Sequence, residues 1–352
     1  MVKILIKDAT IVTCNDKLPL IKSGYVYIEN NIIKAVGKGS PPEEYELAEL
    51  IIPGKDKIVI PGLVSPLTCL SLYHVRYKIR NLDDIYGYIE TLSRSDAYYA
   101  SLLASMESLK MGVTSLAIID PHLHEAGEAI EKVGLRGYLL YSKSCTRALD
   151  YIKNFWHNRN KQFKVYGVAF SEDEYKLLKD KVDIVYSFHN YINGVKAVID
   201  PKDTNIPPTI WKILPSYRVK DWDKQSLIGI GIAPVYSMMR ILNLMKALHA
   251  IPSTTLLKYA TILPSICLGE EKLGVIDKGF KADIVILDYS EPPGWPIPTT
   301  LDYIIEILTS NFLKVHTVII NGEVVLDMGE PLYIGADIIK KAKDKLSNLI
   351  DE

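Results

Sequence analysis

Five residues of this 352-residue chain are singled out as candidates for proton transfer or metal binding. Asp120, His122 and His124 stand within five positions of one another, whereas Cys69 and His189 lie far from them in the sequence. Imidazole, thiolate and carboxylate groups bind zinc, and they also move protons in hydrolytic reactions. These residues form one site only if the fold brings them together above the ends of neighbouring strands.

Short strands separated by turns are predicted at both ends of the chain. Residues 2–12, 25–28 and 32–36 are rich in β-branched and aromatic residues, and the Asn-Asn pair at 30–31 indicates a hairpin turn. The pattern returns to strands after Gly269. The two chain ends are therefore expected to build one composite domain.

Strand and helix alternate in the middle of the chain. The strongest helical pattern covers residues 95–110, with Ser95 as its predicted N-cap. Regular alternation indicates a parallel sheet with right-handed crossovers. The prediction is an α/β protein with a (β/α)8 TIM-like barrel over residues 61–269. This barrel is inserted in a small β-sandwich domain made of residues 1–60 and 270–352, which ends in a helix.

The predicted barrel is shortened or irregular on one side. Residues 190–226 leave only 37 positions, four of them proline, for two strands and their helices. A typical barrel of about 250 residues spends about 31 on each βα unit. We therefore expect one helix of this part to be missing.

Several motifs, in a fixed order, resemble one enzyme family. Residues 61–64 read Pro-Gly-Leu-Val before the first barrel strand, and Ala260-Thr261 opens a segment that ends at Leu268-Gly269. Residues 279–283 read Gly-Phe-Lys-Ala-Asp and lead back into the β-domain. This order is similar to that of metal-dependent amidohydrolases of the cytosine deaminase, chlorohydrolase and adenosylhomocysteine deaminase type.

The resemblance implies a metal site that this chain departs from. In the family, a His-x-His pair on strand one, a His after strand five, often a His after strand six, and an Asp after strand eight hold a divalent metal. The metal lowers the pKa of a bound water to about 7. Leu67 and Cys69 stand at the paired His positions, and Ala233 stands at the Asp position. His189 is the one predicted remnant of the ligand set.

The position of His189 along the barrel is open at this point. It follows either the fifth or the sixth strand, and in a second register Glu172 takes the place after strand five. The carboxyl ends of the barrel strands are called the barrel mouth below. The candidate pocket residues there are Leu67, Cys69, His74, Arg76, Asp120, His122, His189 and Ala233.

Two functional hypotheses follow from the resemblance. The first is a divergent amidohydrolase-fold protein without metal-dependent catalysis, a pseudoenzyme whose metal site is lost. It would need no cofactor and would act as an assembly partner or small-molecule binder. The alternative is an active hydrolase of C–N bonds with a rearranged site, with one divalent metal, zinc or iron, bound atypically.

Composition narrows the range of partners. The formal net charge is −1, which gives no sign of nucleic-acid or membrane binding. The four cysteines are far apart in the sequence and form no Cys-x-x-Cys pair, as expected of reduced thiols in a cytoplasmic protein. The family resemblance implies a homodimer, or assembly with an active paralogue.

Overall fold

The computed structural model describes residues 2–79, 81–82, 92–292, 294–310 and 314–350. No helix within these ranges is long and apolar enough to cross a membrane. The strands are β1 (Lys3–Val12), β2 (Leu20–Glu29), β3 (Ile32–Lys38), β4 (Leu50–Pro53), β5 (Lys57–Pro61), β6 (Leu63–Thr68), β7 (Val113–Ile118), β8 (Arg136–Tyr141), β9 (Phe163–Ala169), β10 (Val185–Phe188), β11 (Ala197–Ile199), β12 (Trp211–Pro215), β13 (Ser226–Gly229), β14 (Ile284–Asp288), β15 (Lys314–Ile320), β16 (Glu323–Asp327) and β17 (Glu330–Pro331).

The described residues also form α-helices. They are α1 (Arg94–Lys110), α2 (Leu123–Val133), α3 (Leu149–Trp156), α4 (Glu172–Leu178), α5 (Met238–His249), α6 (Ser253–Leu256), α7 (Ile262–Cys267), α8 (Leu301–Thr309) and α9 (Ala336–Ile350).

The two chain ends meet in one nine-stranded sheet. Its strand order is β17-β16-β15-β14-β5-β1-β2-β3, with β4 paired to β1. The antiparallel contact between β5 and β14 joins the first sixty residues to the last seventy. A β-domain assembled from both ends therefore exists as expected, while its exact boundaries at residues 60 and 270 stay a prediction.

Strands β6 to β13 form a parallel barrel in sequential order. The ring closes through a parallel bridge between Thr68 and Gly231, just beyond β13. The Cys69 amide donates to the Gly231 carbonyl at 2.8 Å, and the Gly231 amide donates to the Leu67 carbonyl at 2.8 Å. The predicted α/β class with an eight-stranded TIM-like barrel is confirmed.

The barrel lacks helices on one side. No α-helix lies between β10 and β13, a span that the structure describes completely, and a short 3-10 helix at Ser216–Asp221 is the one helical turn there. This 3-10 helix packs against β12 and β13. The expected irregularity is confirmed, and it reaches further than the single missing helix that the sequence predicts.

Three local predictions need correction. The N-cap of α1 is Ser93, whose hydroxyl accepts from the Asp96 amide, and not Ser95. The sequence pattern of residues 253–268 predicts one helix, but this helix breaks at Thr261, whose φ of −133° and ψ of −94° are not helical. Residues 273–276 form no strand, because they lie beside β1 with one backbone bond, from the Ile276 amide to the Thr13 carbonyl.

Candidate functional site

The end of β6 carries the two residues that replace the His pair. Leu67 and Cys69 are both fully buried and pack in one apolar cluster with residues from the other barrel strands. A Cβ on Gly229 would lie 2.5 Å from the Leu67 carbonyl oxygen, so only a glycine lets β13 approach β6 this closely. The strand-one positions therefore form part of the packed barrel wall.

Three tyrosines from the third, fourth and fifth barrel strands fill the barrel interior. Tyr166 donates to the Leu268 carbonyl at 2.8 Å, and Tyr186 donates to the Cys267 carbonyl at 3.1 Å. Tyr138 stacks beside Tyr166 with 6.2 Å between ring centroids. Side chains therefore fill the barrel interior below the mouth, as in barrels whose interiors consist of packed layers of side chains.

Asp120, at the end of the second barrel strand, holds the segment that follows strand one. Its Oδ2 accepts from the Leu70 amide at 3.2 Å, the Ser71 amide at 2.9 Å and the Cys69 thiol at 3.5 Å. Its Oδ1 accepts from the Ser71 hydroxyl at 2.8 Å and the His122 amide at 2.9 Å. Burial, and then the Asp120 carboxylate, raise the pKa of the Cys69 thiol well above its ordinary value.

The two histidines after strand two point to different environments. His124 accepts from the Trp156 indole at Nδ1, 3.1 Å away, and its Nε2 lies 3.4 Å from the Tyr151 hydroxyl. Burial lowers the pKa of His124. His122 is 4% exposed, and neither ring nitrogen has a partner among the described residues. His124 belongs to the α2–α3 contact and does not join the mouth.

His189 follows β10, which is the fifth barrel strand. Glu172 begins α4 after the fourth strand, so the register that puts Glu172 after strand five is wrong. The Nδ1 of His189 lies 2.8 Å from the Asp200 carbonyl oxygen. A carbonyl can only accept, so Nδ1 carries the proton and, in the neutral ring, Nε2 carries the lone pair.

Asp200 links the ends of three consecutive strands. It follows β11, and its carboxylate accepts from Arg218 at 2.7 Å. Arg218 follows β12 and also pairs with Asp221 at 2.9 Å. This pairing fixes the backbone carbonyl that orients His189. Asp200 and Arg218 carry no signal in the sequence that distinguishes them from surface ion pairs.

Arg76 connects the loop after strand one with the segment after strand eight. Its guanidinium donates to the Tyr73 carbonyl at 2.7 Å and to the Pro234 carbonyl at 3.2 Å, and lies 3.9 Å above the Tyr73 ring. Ala233, one position earlier, is buried. His74 is half-buried beside this loop, and burial lowers its pKa.

A narrow cavity with room for about one water molecule lies at the mouth between strands two, three and five. Its described walls are formed by Leu82, Ile119, Asp120, Pro121, Ser142, Ser144 and Phe188. Of these, the sequence analysis identified only Asp120. Phe188 ends the fifth strand, and Ile119, Pro121, Ser142 and Ser144 closely follow the second and third strands. That position is the one signal by which they could have been found.

The described residues do not fit the family's metal site. Leu67 and Ala233 offer no donor atoms, and the Cys69 thiol is held against Asp120. Among the described residues, no group of three or more His, Cys, Asp or Glu side chains is placed to hold a metal ion.

Comparisons with known proteins find relatives of similar sequence and solved structures of the same architecture. The sequence profile of the Amidohydrolase family matches residues 222–325. A 5-methylthioadenosine/S-adenosylhomocysteine deaminase of Thermoanaerobacter pseudethanolicus is 24% identical, covering 99% of both chains. The enzyme of that name from Pyrococcus furiosus is also 24% identical, covering 99% of this chain and 100% of its own. The chain is therefore similar to amidohydrolases over its whole length.

Solved structures show the same fold. An adenosine deaminase from Xanthomonas campestris with bound zinc superposes with a TM-score of 0.78 at 15% identity, covering 99% of both chains. The atrazine chlorohydrolase of Arthrobacter aurescens, complexed with zinc, gives 0.76 at 14% identity, covering 99% of this chain and 100% of its own. Both neighbours bind zinc, so the predicted absence of any cofactor finds no support in them.

The prediction of a protein without catalysis is contradicted by these relatives, as is the interpretation as a pseudoenzyme with a lost metal site. Relatives named as deaminases match the chain from end to end, and the fold neighbours include hydrolases. The prediction equated the loss of individual aligned residues with the loss of activity. The first alignment spans 437 positions against the 352 residues here, so whole segments differ as well as single ligands.

Proposed function

We propose that the protein is a hydrolase of C–N bonds in nitrogen heterocycles, working with a rearranged site at the barrel mouth. The proposal is supported by full-length relatives named as deaminases and by polar groups at the carboxyl ends of strands two, three, five and six. Active sites of such barrels lie at this end.

One observation carries the proposal. His189 stands at the end of the fifth strand, with its Nδ1–H directed to the Asp200 carbonyl. In the neutral ring, Nε2 then carries the lone pair with which a general base accepts a proton. Asp200, held by Arg218, keeps that orientation.

The proposed chemistry is hydrolytic deamination. The oxygen of water bonds to the ring carbon, the bond from that carbon to the amino nitrogen breaks, and ammonia leaves. His189 takes the proton from the attacking water and returns it to the departing nitrogen. The relatives favour a divalent metal, but the described residues do not form a ligand set, so no step is derived through one.

The test measures ammonia release by the purified full-length chain from cytosine, adenosine, 5-methylthioadenosine and S-adenosylhomocysteine. We expect release from at least one of them, and a loss of about 10²- to 10⁴-fold in kcat for His189→Gln, the range that general acid–base catalysis supplies. His316→Gln, in strand β15 of the β-domain, is the matched control and should keep full activity. No release from any compound, or an unchanged His189→Gln enzyme, would contradict the proposal.

A further inference from the structure

Leu82, in the segment after strand one, reaches across the barrel mouth. It is 1% exposed and packs in one apolar cluster with Ile119, just after strand two, and Phe188, at the end of strand five. The three side chains line the mouth cavity together. Because this cavity has room for about one water molecule, a ligand of several atoms cannot enter it while Leu82 stays in place.

A tyrosine from another side of the barrel holds Leu82 in this position. Tyr217 lies in the 3-10 helix after β12, the seventh barrel strand, and its hydroxyl accepts from the Leu82 amide at 2.9 Å. The segment after strand one is therefore bonded to the segment after strand seven, although strand eight lies between these two strands.

The turn that carries Tyr217 is itself attached to the barrel. The Ser216 hydroxyl donates to the Ile230 carbonyl, just after strand eight, at 2.8 Å. Arg218 donates to the Asp200 carboxylate at 2.7 Å. Tyr217 stands between these two anchored residues, so its hydroxyl has a defined position. A movement of the segment around Asp200 would displace that hydroxyl.

The start of the segment after strand one is held more tightly than Leu82. The Asp120 carboxylate accepts from the Leu70 amide at 3.2 Å and from the Ser71 amide at 2.9 Å. Hydrogen bonds to a charged group are about twice as strong as neutral ones, such as the bond from Leu82 to Tyr217. The end of the segment at Leu82 should therefore release before its start.

We propose that residues 70–79 and 81–82 form a lid over the barrel mouth and that Tyr217 is the residue that keeps this lid closed. When the hydrogen bond breaks, Leu82 can move away from Phe188 and uncover the end of strand five, where His189 stands. The inference goes beyond the proposed function, because it concerns access to the mouth and holds for any ligand.

Alkylation of Cys69 reports whether the lid is open. Cys69 is fully buried in the same cluster as Leu82, and its thiol contacts Asp120, another wall of the cavity. The test measures the rate of Cys69 alkylation by iodoacetamide at pH 8 in the full-length chain, by mass spectrometry. We expect Tyr217→Phe, which removes only the hydroxyl, to raise this rate about two- to tenfold, the effect of losing one neutral hydrogen bond.

Two controls distinguish an opened lid from a loosened fold. Tyr333→Phe removes a hydroxyl of similar exposure, bonded to Glu323 in the β-domain, and should leave the rate unchanged. Cys267 is fully buried in α7 and should react equally slowly in all three proteins. The proposal is overturned by an unchanged Cys69 rate in Tyr217→Phe, by a Cys69 that does not react in any of the proteins, or by an equal rise in Tyr333→Phe or at Cys267.

Discussion

Arg136 and Asp283 form a buried, two-pronged ion pair between the barrel and the β-domain. Nε and Nη2 of Arg136 each lie 2.9 Å from a carboxylate oxygen of Asp283, and both side chains are 1% exposed. Asp283 also accepts from the Asn321 amide at 2.9 Å. Arg136 begins the third barrel strand and Asp283 directly precedes β14, so the pair joins the barrel to the composite sheet.

Removing one partner of this pair should destabilise the fold strongly. Asp283→Ala leaves the guanidinium buried and unpaired, and we expect a loss of about 3–5 kcal/mol in the free energy of unfolding. Glu330→Ala breaks the exposed pair with Lys110 and should cost less than about 1 kcal/mol. Urea denaturation measures both. Equal effects of the two substitutions would contradict the account.

The Asp120 carboxylate should stabilise the segment after strand one and keep the Cys69 thiol unreactive. Asp120→Ala leaves the buried amides of Leu70 and Ser71 without their acceptor, which should cost about 1–3 kcal/mol for each unsatisfied group. It also removes the charge that helps to raise the pKa of Cys69. We expect faster alkylation of Cys69 at pH 8, measured by mass spectrometry. The buried Cys267, whose pKa burial raises to about 12, serves as the internal control and should stay unreactive. An unchanged rate at Cys69 would refute the protection.

The free energy of unfolding should decrease as the pH is lowered through the ordinary titration range of histidine. Burial lowers the pKa of His124, so in this range the unfolded chain binds more protons than the folded chain. Its share of stability is complete above the ordinary pKa of about 6.5 and falls as the pH drops below it. Unfolding free energies at pH 7.5 and 5.5 should differ less in His124→Gln than in the parent protein. An identical difference in both proteins would rule out a contribution from His124.

The contact between the first and last barrel strands should not tolerate a side chain at Gly229. An added Cβ would meet the Leu67 backbone nitrogen at 2.6 Å and its carbonyl oxygen at 2.5 Å. We expect Gly229→Ala to lower the melting temperature, with a cost of about 1–3 kcal/mol or more. Gly335→Ala, where the near atom is the end of the Asp337 side chain, is the control and should change little. Similar melting temperatures for both variants would contradict the close approach.

Periodic features of the fold were readable from the sequence, and local choices between equivalent groups were not. The strands at both ends and the barrel between them follow from runs of β-branched residues and their alternation with helices. Ser93 and Ser95 are chemically identical N-cap candidates, and the bond from the Asp96 amide decides between them only in three dimensions.

The site was less accessible to sequence reasoning. His189 was identified, but the span that follows it has no α-helix to mark the next strands, so the sequence left its place after strand five or six open. The hydroxyls of Ser142 and Ser144 are hydrogen-bonded to each other within one turn. Two serines in a loop carry no periodic signal. The functional prediction failed because ligand positions were compared one at a time. The homodimer remains a prediction.

The bare side of the barrel also bears on dynamics. No α-helix lies between β10 and β13, whereas α1 packs against β7, so opening β11 should break fewer packed contacts than opening β7. Regions with less packing open at lower free-energy cost, and their amides exchange hydrogen with solvent sooner. Amide protons of β11 should therefore exchange before those of β7. The half of the mouth that carries His189 and Asp200 should therefore move more readily than the other half when a ligand binds.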